Sequence, residues 1–590
     1  MKKRKDIQSQ YKWDFSDYFK NDEEWESSFN VYCKELEKVK EFNGKLKDKQ
    51  TILNCFKTLE NLDLLAEPLY IYANCLSDVD VADTNYQQLV NKITNKLTEQ
   101  SVLTSFITPQ LSALPQEMLK EMLEDKLFAN YSKVLSDIIR EKEHTLTEEC
   151  EKILSKVSSF SRDFKLNFSN FENGDLKFKN ILNGKGKSLP MNQSLASIYL
   201  RDKDEVLRKN AYTELHSAFG RYNNFLTSNY LGSVKKDVFY ATTRGFKSSI
   251  DSALFYEEVS SEVYNMLLKK VDEYLNLEHK YFALKQKMLK LKTFKTSDVY
   301  YNPLTSKEKY TYEDGFKIVC EALSLLGEDY IASITKMKDT NKIDVFPNEN
   351  KYNGAYKTGA YGKSPVVLTN FNGKFDDIST LAHELGHAMH SVYSDESQSL
   401  FNANYTIFLA EIASTVNETL LNEYMLNKTQ VKAERLFYIN EFLSRFHATV
   451  FRQTMFADFE SKIHTMVENN EPLSSKVLND TYLNLVKKYF GSKVKVLDCV
   501  KYEWSRIPHF YTAFYVYKYA TGLISAINIV ENLKDGTITI EDYKKFLSSG
   551  CTSDPVTLLK IVKVDLTKEE SFDRAFKVLD RYLENLKKLV

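Results

Sequence analysis

The chain has 590 residues, 43% hydrophobic and 27% charged, an ordinary soluble globular composition. Its 80 basic and 81 acidic residues leave a formal net charge of -1, which offers no general attraction to nucleic acid or an anionic membrane. The seven cysteines are odd in number and widely spaced, without a CxxC pair, which argues against a zinc knuckle or a secreted disulfide framework. The opening MKKRKDIQSQYKWDFSDYF has basic residues but no apolar run after them, and no stretch approaches the ~18 apolar residues of a membrane span. A cytoplasmic protein is expected.

With only 18 glycines and 10 prolines, helix breakers are rare and a mostly α-helical fold follows. From about residue 21 to 170, apolar residues recur at three- and four-residue spacing with charges between them. NFENGDLKFKNILNGKGKSLPMN then carries short apolar runs bounded by Asn-Gly and Gly-Lys-Gly, which is hairpin chemistry. This places a domain boundary near 190, giving an N-terminal helical lobe over 1–190 and a catalytic lobe over 191–590. Helical pattern resumes to about Leu289, and YYNPLTSKEKYTYEDGF supplies a loop. Between Val345 and Asp376, glycines at 354, 359, 362 and 373 surround a short β-type run, Pro365 to Phe371. That small sheet edge leads directly into a helix with Asp376 or Asp377 as its expected N-cap. From Thr406 onward the pattern is helical almost to the end.

The helix after the sheet, DDISTLAHELGHAMHSVYSDESQSL, holds His383, His387 and His390, three of the nine histidines. Residues four apart share a helix face, so His383 and His387 can both address one ion. Glu384 lies about 100° round the helix, where its carboxylate can flank a metal and take a proton from a water held by it. A random chain of this composition shows H-E-x-x-H on the order of once per hundred, so further ligands decide its meaning. The metzincin extension fails, because His390 stands where Gly is required and Tyr393 where the last His is required. His390 is itself an unsuitable third ligand: three ligands along one straight helix span about 10 Å, too long for Zn–N bonds near 2 Å. It is expected beside the site or in packing. Downstream, Glu411 sits among Ile407, Phe408, Leu409, Ala410, Ile412 and Ala413, where burying a carboxylate is costly unless a cation meets it. Glu411 is therefore the expected third ligand. Glu418, on roughly the same face, is the expected hydrogen-bond partner of a ligating imidazole.

TLAHELGHAMH followed, 24 residues after His387, by Glu411 in FLAEIASTVNE resembles the thimet oligopeptidase family of zinc metallopeptidases, most closely its bacterial oligoendopeptidase F branch. The likeness extends to YKWDFSDYF, PVVLTNFNGKFDDISTLAHELGH, FRQTMFADFE at 451–460 and RIPHFYTAFYVYKYATG at 506–522, and so covers most of the chain. It implies a mostly helical, two-lobed ellipsoid with a deep central channel, a small sheet beside the histidine helix, and one zinc ion per chain. His383, His387 and Glu411 would be the ligands and Glu384 the general base, in an oligoendopeptidase acting on short unfolded peptides.

The resemblance further implies a His/Tyr segment acting on substrate. Here it matches His509 with Tyr511, Tyr515 and Tyr519, while the register leaves Tyr517 as an alternative. Pro508 suits the first turn of a helix, and the tyrosines then recur every four residues on one face. Tyrosine hydroxyls there could meet a developing oxyanion. For the β-type run, an edge strand carrying Val366 and Val367 would pair with an extended peptide, with Gly359 in a loop that closes over it. Two other functions fit the same residues: a zinc carboxypeptidase of similar helical fold, and a non-catalytic peptide-binding protein that keeps zinc.

Overall fold

The computed structural model describes residues 2–304 and 309–590, apart from the side chains at 148 and 159. Of the loop expected over 300–316, residues 305–308 lie outside the described part. Among the described residues the fold is mostly helical with two small sheets, as the scarcity of glycine and proline predicts. Two compact units each draw on three stretches of chain: 1–145, 307–424 and 529–563 in the first, 146–306, 425–528 and 564–590 in the second. The hairpin expected to divide the chain, β1 (Ile181–Leu182) with β2 (Ser188–Leu189), is antiparallel and lies wholly inside the second unit. Its turn closes through Gly186, at φ +75°, donating to the Asn183 carbonyl at 3.0 Å. Turn residues mark a local reversal; they carry no signal of which unit the chain enters next.

In the first unit, helices Asp22–Glu37 and Lys49–Val79 begin at Asn21 and Asp48, whose side chains accept from the Glu24 and Thr51 amides, both at 2.9 Å. Trp25, Tyr32, Leu36, Leu62 and Leu69 form their buried core. Val366 joins that same core from a three-stranded sheet of β3 (Ile343–Asp344), β4 (Tyr356–Thr358) and β5 (Val366–Leu368). The strand order is β3-β5-β4, with β5 parallel to β3 and antiparallel to β4.

This corrects the edge-strand expectation. Val366 and Val367 occupy the middle strand, fully buried, with partners on both sides. The Val367 carbonyl also accepts from the Trp13 indole at 2.9 Å, so the early YKWDF stretch staples the sheet. A short apolar run reads alike whether its strand is central or at an edge; the edge strands here are β3 and β4.

The second unit packs around aromatic side chains. Helix Glu569–Leu589 presents Phe572, Phe576, Leu579, Leu583 and Leu586 on one buried face, and Phe576 stacks on Tyr274 at 4.3 Å. Phe459 lies among Tyr482, Trp504 and Phe510, at ring distances of 5.3, 6.1 and 5.4 Å. Among the described residues, no helix is long and apolar enough to cross a membrane.

Candidate metal centre

The histidine helix, α1 (Phe375–Ser397), starts before its expected caps. Asp377 acts from inside the first turn, its Oδ2 accepting from the amides of Lys374 at 2.8 Å and Asn372 at 2.9 Å. Ile378, Leu381, Ala382, Leu385, Ala388 and Met389 are all fully buried and form its core face. His383 and His387 sit at the margin of that face, with side chains 25% and 17% exposed.

The third donor arrives on α2 (Ile407–Lys428). A Cβ on Gly386 would stand 2.5 Å from the Ser414 Cα and 2.7 Å from the Ala413 carbonyl oxygen, both backbone atoms. Only glycine allows this helix-to-helix approach, which explains a residue that otherwise lowers helix stability. The buried Asn417 amide pins the crossing by donating to the Ala382 carbonyl at 2.9 Å, and Tyr330 donates to the Asn417 Oδ1 at 3.1 Å. Neither Gly386 nor Asn417 was singled out as a site residue in the sequence; the glycine inside a helix was the one available signal.

The approach gathers three donor atoms. His383 Nε2 and His387 Nε2 are 3.1 Å apart, and Glu411 Oε2 lies 3.4 and 3.6 Å from them. Bonds of 2.0–2.1 Å to a tetrahedral zinc put neighbouring ligands about 3.3 Å apart, so the three atoms fit such an ion. Among the described residues this is the one group of His, Cys, Asp or Glu donors able to hold a metal. Two imidazoles and a carboxylate are also a known donor set for catalytic zinc. The Glu411 side chain is 39% exposed. Its apolar neighbours Phe408, Leu409, Ile412 and Ala413 are buried on other sides of α2.

Each imidazole also has a partner outside the donor group. His383 Nδ1 meets Glu418 Oε1 at 3.3 Å, and His387 hydrogen-bonds to the Ala410 backbone. Burial opposes a charge on His383, but Glu418, Glu384 and Glu411 outweigh it and raise its pKa. Burial, then the neighbouring His383, lowers His387 to about 3 and keeps it neutral. Glu384 is buried, and burial raises its carboxyl to about 7 against the pull of His383. The backbone of Lys357, on edge strand β4, hydrogen-bonds to it.

His390 is buried away from solvent, its ring stacked on Tyr405 at 3.6 Å and 4°, and burial lowers it to about 3. It is a neutral packing histidine. Gly359 lies in the turn between β4 and β5, where a Cβ would stand 3.1 Å from the Pro365 Cα. A side chain there would sit tightly against that turn.

The His/Tyr segment belongs to the second unit and is not one helix. Pro508–Tyr511 form a 3-10 turn with Pro508 at its first position. The chain turns at Phe514, and a helix begins at Tyr517. His509, Tyr515 and Tyr519 converge, with ring centroids 5.9, 5.9 and 5.5 Å apart, and Tyr519 OH stands 3.4 Å from His509 Nε2. Burial, then Lys165, lowers the His509 pKa. Tyr511 does not share their face. It is buried, stacked on Phe168 at 4.9 Å, and its hydroxyl accepts from Asn229 at 3.0 Å. Tyr517 is buried too, donating to Glu257 at 3.1 Å. The four-residue spacing failed because the helix it assumed is broken at the turn.

The profile of peptidase family M3 matches residues 198–578, and that described as oligopeptidase F matches 110–178. Oligopeptidase PepF of Bacillus subtilis is 34% identical over all of this chain and 88% of its own length. The chromosomal oligoendopeptidase F of Lactococcus lactis subsp. cremoris is 33% identical, covering 100% of this chain and 99% of its own. In structure, oligoendopeptidase F from Enterococcus faecium superposes with a TM-score of 0.73 at 27% identity, covering 96% of this chain and 99% of that one. A crystal structure from Chlamydophila abortus reaches a TM-score of 0.94 at 31% identity, with full coverage of both chains. With matches spanning its whole length, this chain belongs to peptidase family M3 and is a metalloendopeptidase of the oligoendopeptidase F type.

Proposed function

We propose that the chain is a zinc-dependent oligoendopeptidase that cleaves internal bonds of short, unfolded peptides. The observation that carries this reading is the spacing of His383 Nε2, His387 Nε2 and Glu411 Oε2, 3.1 to 3.6 Å apart, beside a buried glutamate. Zinc held by these three residues supplies Lewis-acid chemistry, polarising a carbonyl and acidifying water. Glu384 takes the proton of the attacking water as its oxygen bonds to the scissile carbonyl carbon. It then passes that proton to the leaving nitrogen as the C–N bond breaks. The Lys357 backbone steadies Glu384 from β4. Glu418 orients His383, so that its Nε2 lone pair points at the site.

The family resemblance implies that His509 and Tyr515, with Tyr519 beside them, act on the peptide. The substrates are peptides, the ion count is one per chain, and the working compartment is the cytoplasm.

His383→Ala tests the ligand assignment. Zinc per chain, measured by plasma mass spectrometry after dialysis, is expected to fall from near one to near zero, with helical circular dichroism retained. Full zinc occupancy in that variant would refute the ligand set.

A further inference from the structure

One buried acid remains unused by this chemistry. Glu460 ends the FRQTMFADFE stretch on a helix, Arg452–Glu468, whose core face includes Met455, Phe456, Phe459 and Ile463. It is 1% exposed. Its Oε1 accepts from the Phe514 amide at 2.9 Å, while Oε2 has no hydrogen-bond partner among the described residues. Burial raises its carboxyl to about 8, against His464 and the Phe514 bond.

Phe514 is the point where the His/Tyr segment turns. Its φ of +53° is left-handed, a conformation that costs a residue with a Cβ. The ring is locked as well, 4.6 Å from the His464 ring and 6.1 Å from Tyr264. His464 is held in turn by the Glu460 carbonyl at 2.9 Å and Asp237 Oδ2 at 3.4 Å. On one side of this turn lies His509 and on the other Tyr515 and Tyr519.

An apolar side chain would fill the Glu460 site without stranding an oxygen. A buried carboxyl committed to one backbone amide of a strained turn is a cost that function explains better than packing. We propose that Glu460 is the positioning residue of the His/Tyr segment: it clamps the left-handed turn at Phe514 and so fixes His509, Tyr515 and Tyr519 relative to one another. This rests on the reading that these three act on the peptide.

The test uses the zinc-loaded full chain and an internally quenched peptide. Glu460→Met keeps the volume and removes the acceptor; kcat is expected to drop about tenfold or more, with KM and zinc content within about twofold of wild type. Glu460→Gln keeps an acceptor oxygen and is expected to stay within about threefold of wild type. Phe514→Gly, which leaves Glu460 in place and frees the turn, serves if the methionine variant does not fold; its kcat is expected to fall by about threefold or more. Wild-type kcat in a folded Met or Gly variant would overturn the proposal, as would a Gln variant as impaired as Met. Wild-type kcat in His509→Ala and Tyr515→Phe would instead defeat the underlying reading. Low kcat in those two beside normal turnover in Glu460→Met would sink the positioning role alone.

Discussion

Glu384→Gln is expected to lower turnover of a quenched peptide by about 10³-fold or more while leaving zinc at about one ion per chain. Glutamine has the shape of glutamate and keeps an oxygen for the Lys357 backbone, so the change removes the proposed proton transfer and little else. His383, His387 and Glu411 are untouched, and the flanking Leu385 and Ala388 stay packed. Zinc content and kcat measured on the same preparation check it. A variant that keeps its zinc and turns over at the wild-type rate would remove Glu384 from the mechanism.

Gly386→Ala is expected to damage the centre as severely, by a different route. The added methyl meets backbone at 2.5 and 2.7 Å, and backbone cannot rotate aside as a flexible side chain would. The helices α1 and α2 must separate, which costs about 3 kcal/mol by the usual scale of overpacking. The same movement carries Glu411 away from imidazoles that now lie 3.4 and 3.6 Å from it, and stretches the Asn417 bond to Ala382. Zinc affinity should therefore fall together with Tm, both read in one calorimetric and metal-titration series. Undiminished affinity would mean that the crossing tolerates a methyl and that glycine is incidental there.

Much of this centre is legible in the sequence because its parts lie on one helix with a fixed period. The four-residue step places His383 beside His387, and the turn between places Glu384 at their flank. Glu411 was reachable only in part. Its apolar neighbours pointed to a buried carboxylate, whereas its side chain is over a third exposed and stands by the imidazoles because Gly386 lets two helices meet. Residues that act through tertiary placement left weaker traces. Val366 and Val367 read as a strand, but strand order depends on β3, β4 and Trp13, which are distant in sequence. The Tyr511, Tyr515, Tyr519 spacing assumed one helix, and the left-handed Phe514 breaks it. Phenylalanine carries no sequence signal for that conformation, since the acceptor that stabilises it, Glu460, comes from another helix. The compact units likewise could not be read from local pattern near 190, because each gathers three separated stretches of chain.

The most direct test of the central claim is mass-spectrometric product analysis of a short peptide blocked at both ends, incubated with chelator-stripped protein before and after zinc is restored. The expected result is cleavage at internal bonds after zinc is restored, and an intact peptide before it. An intact peptide under both conditions, or equal cleavage under both, would contradict a zinc-dependent endopeptidase.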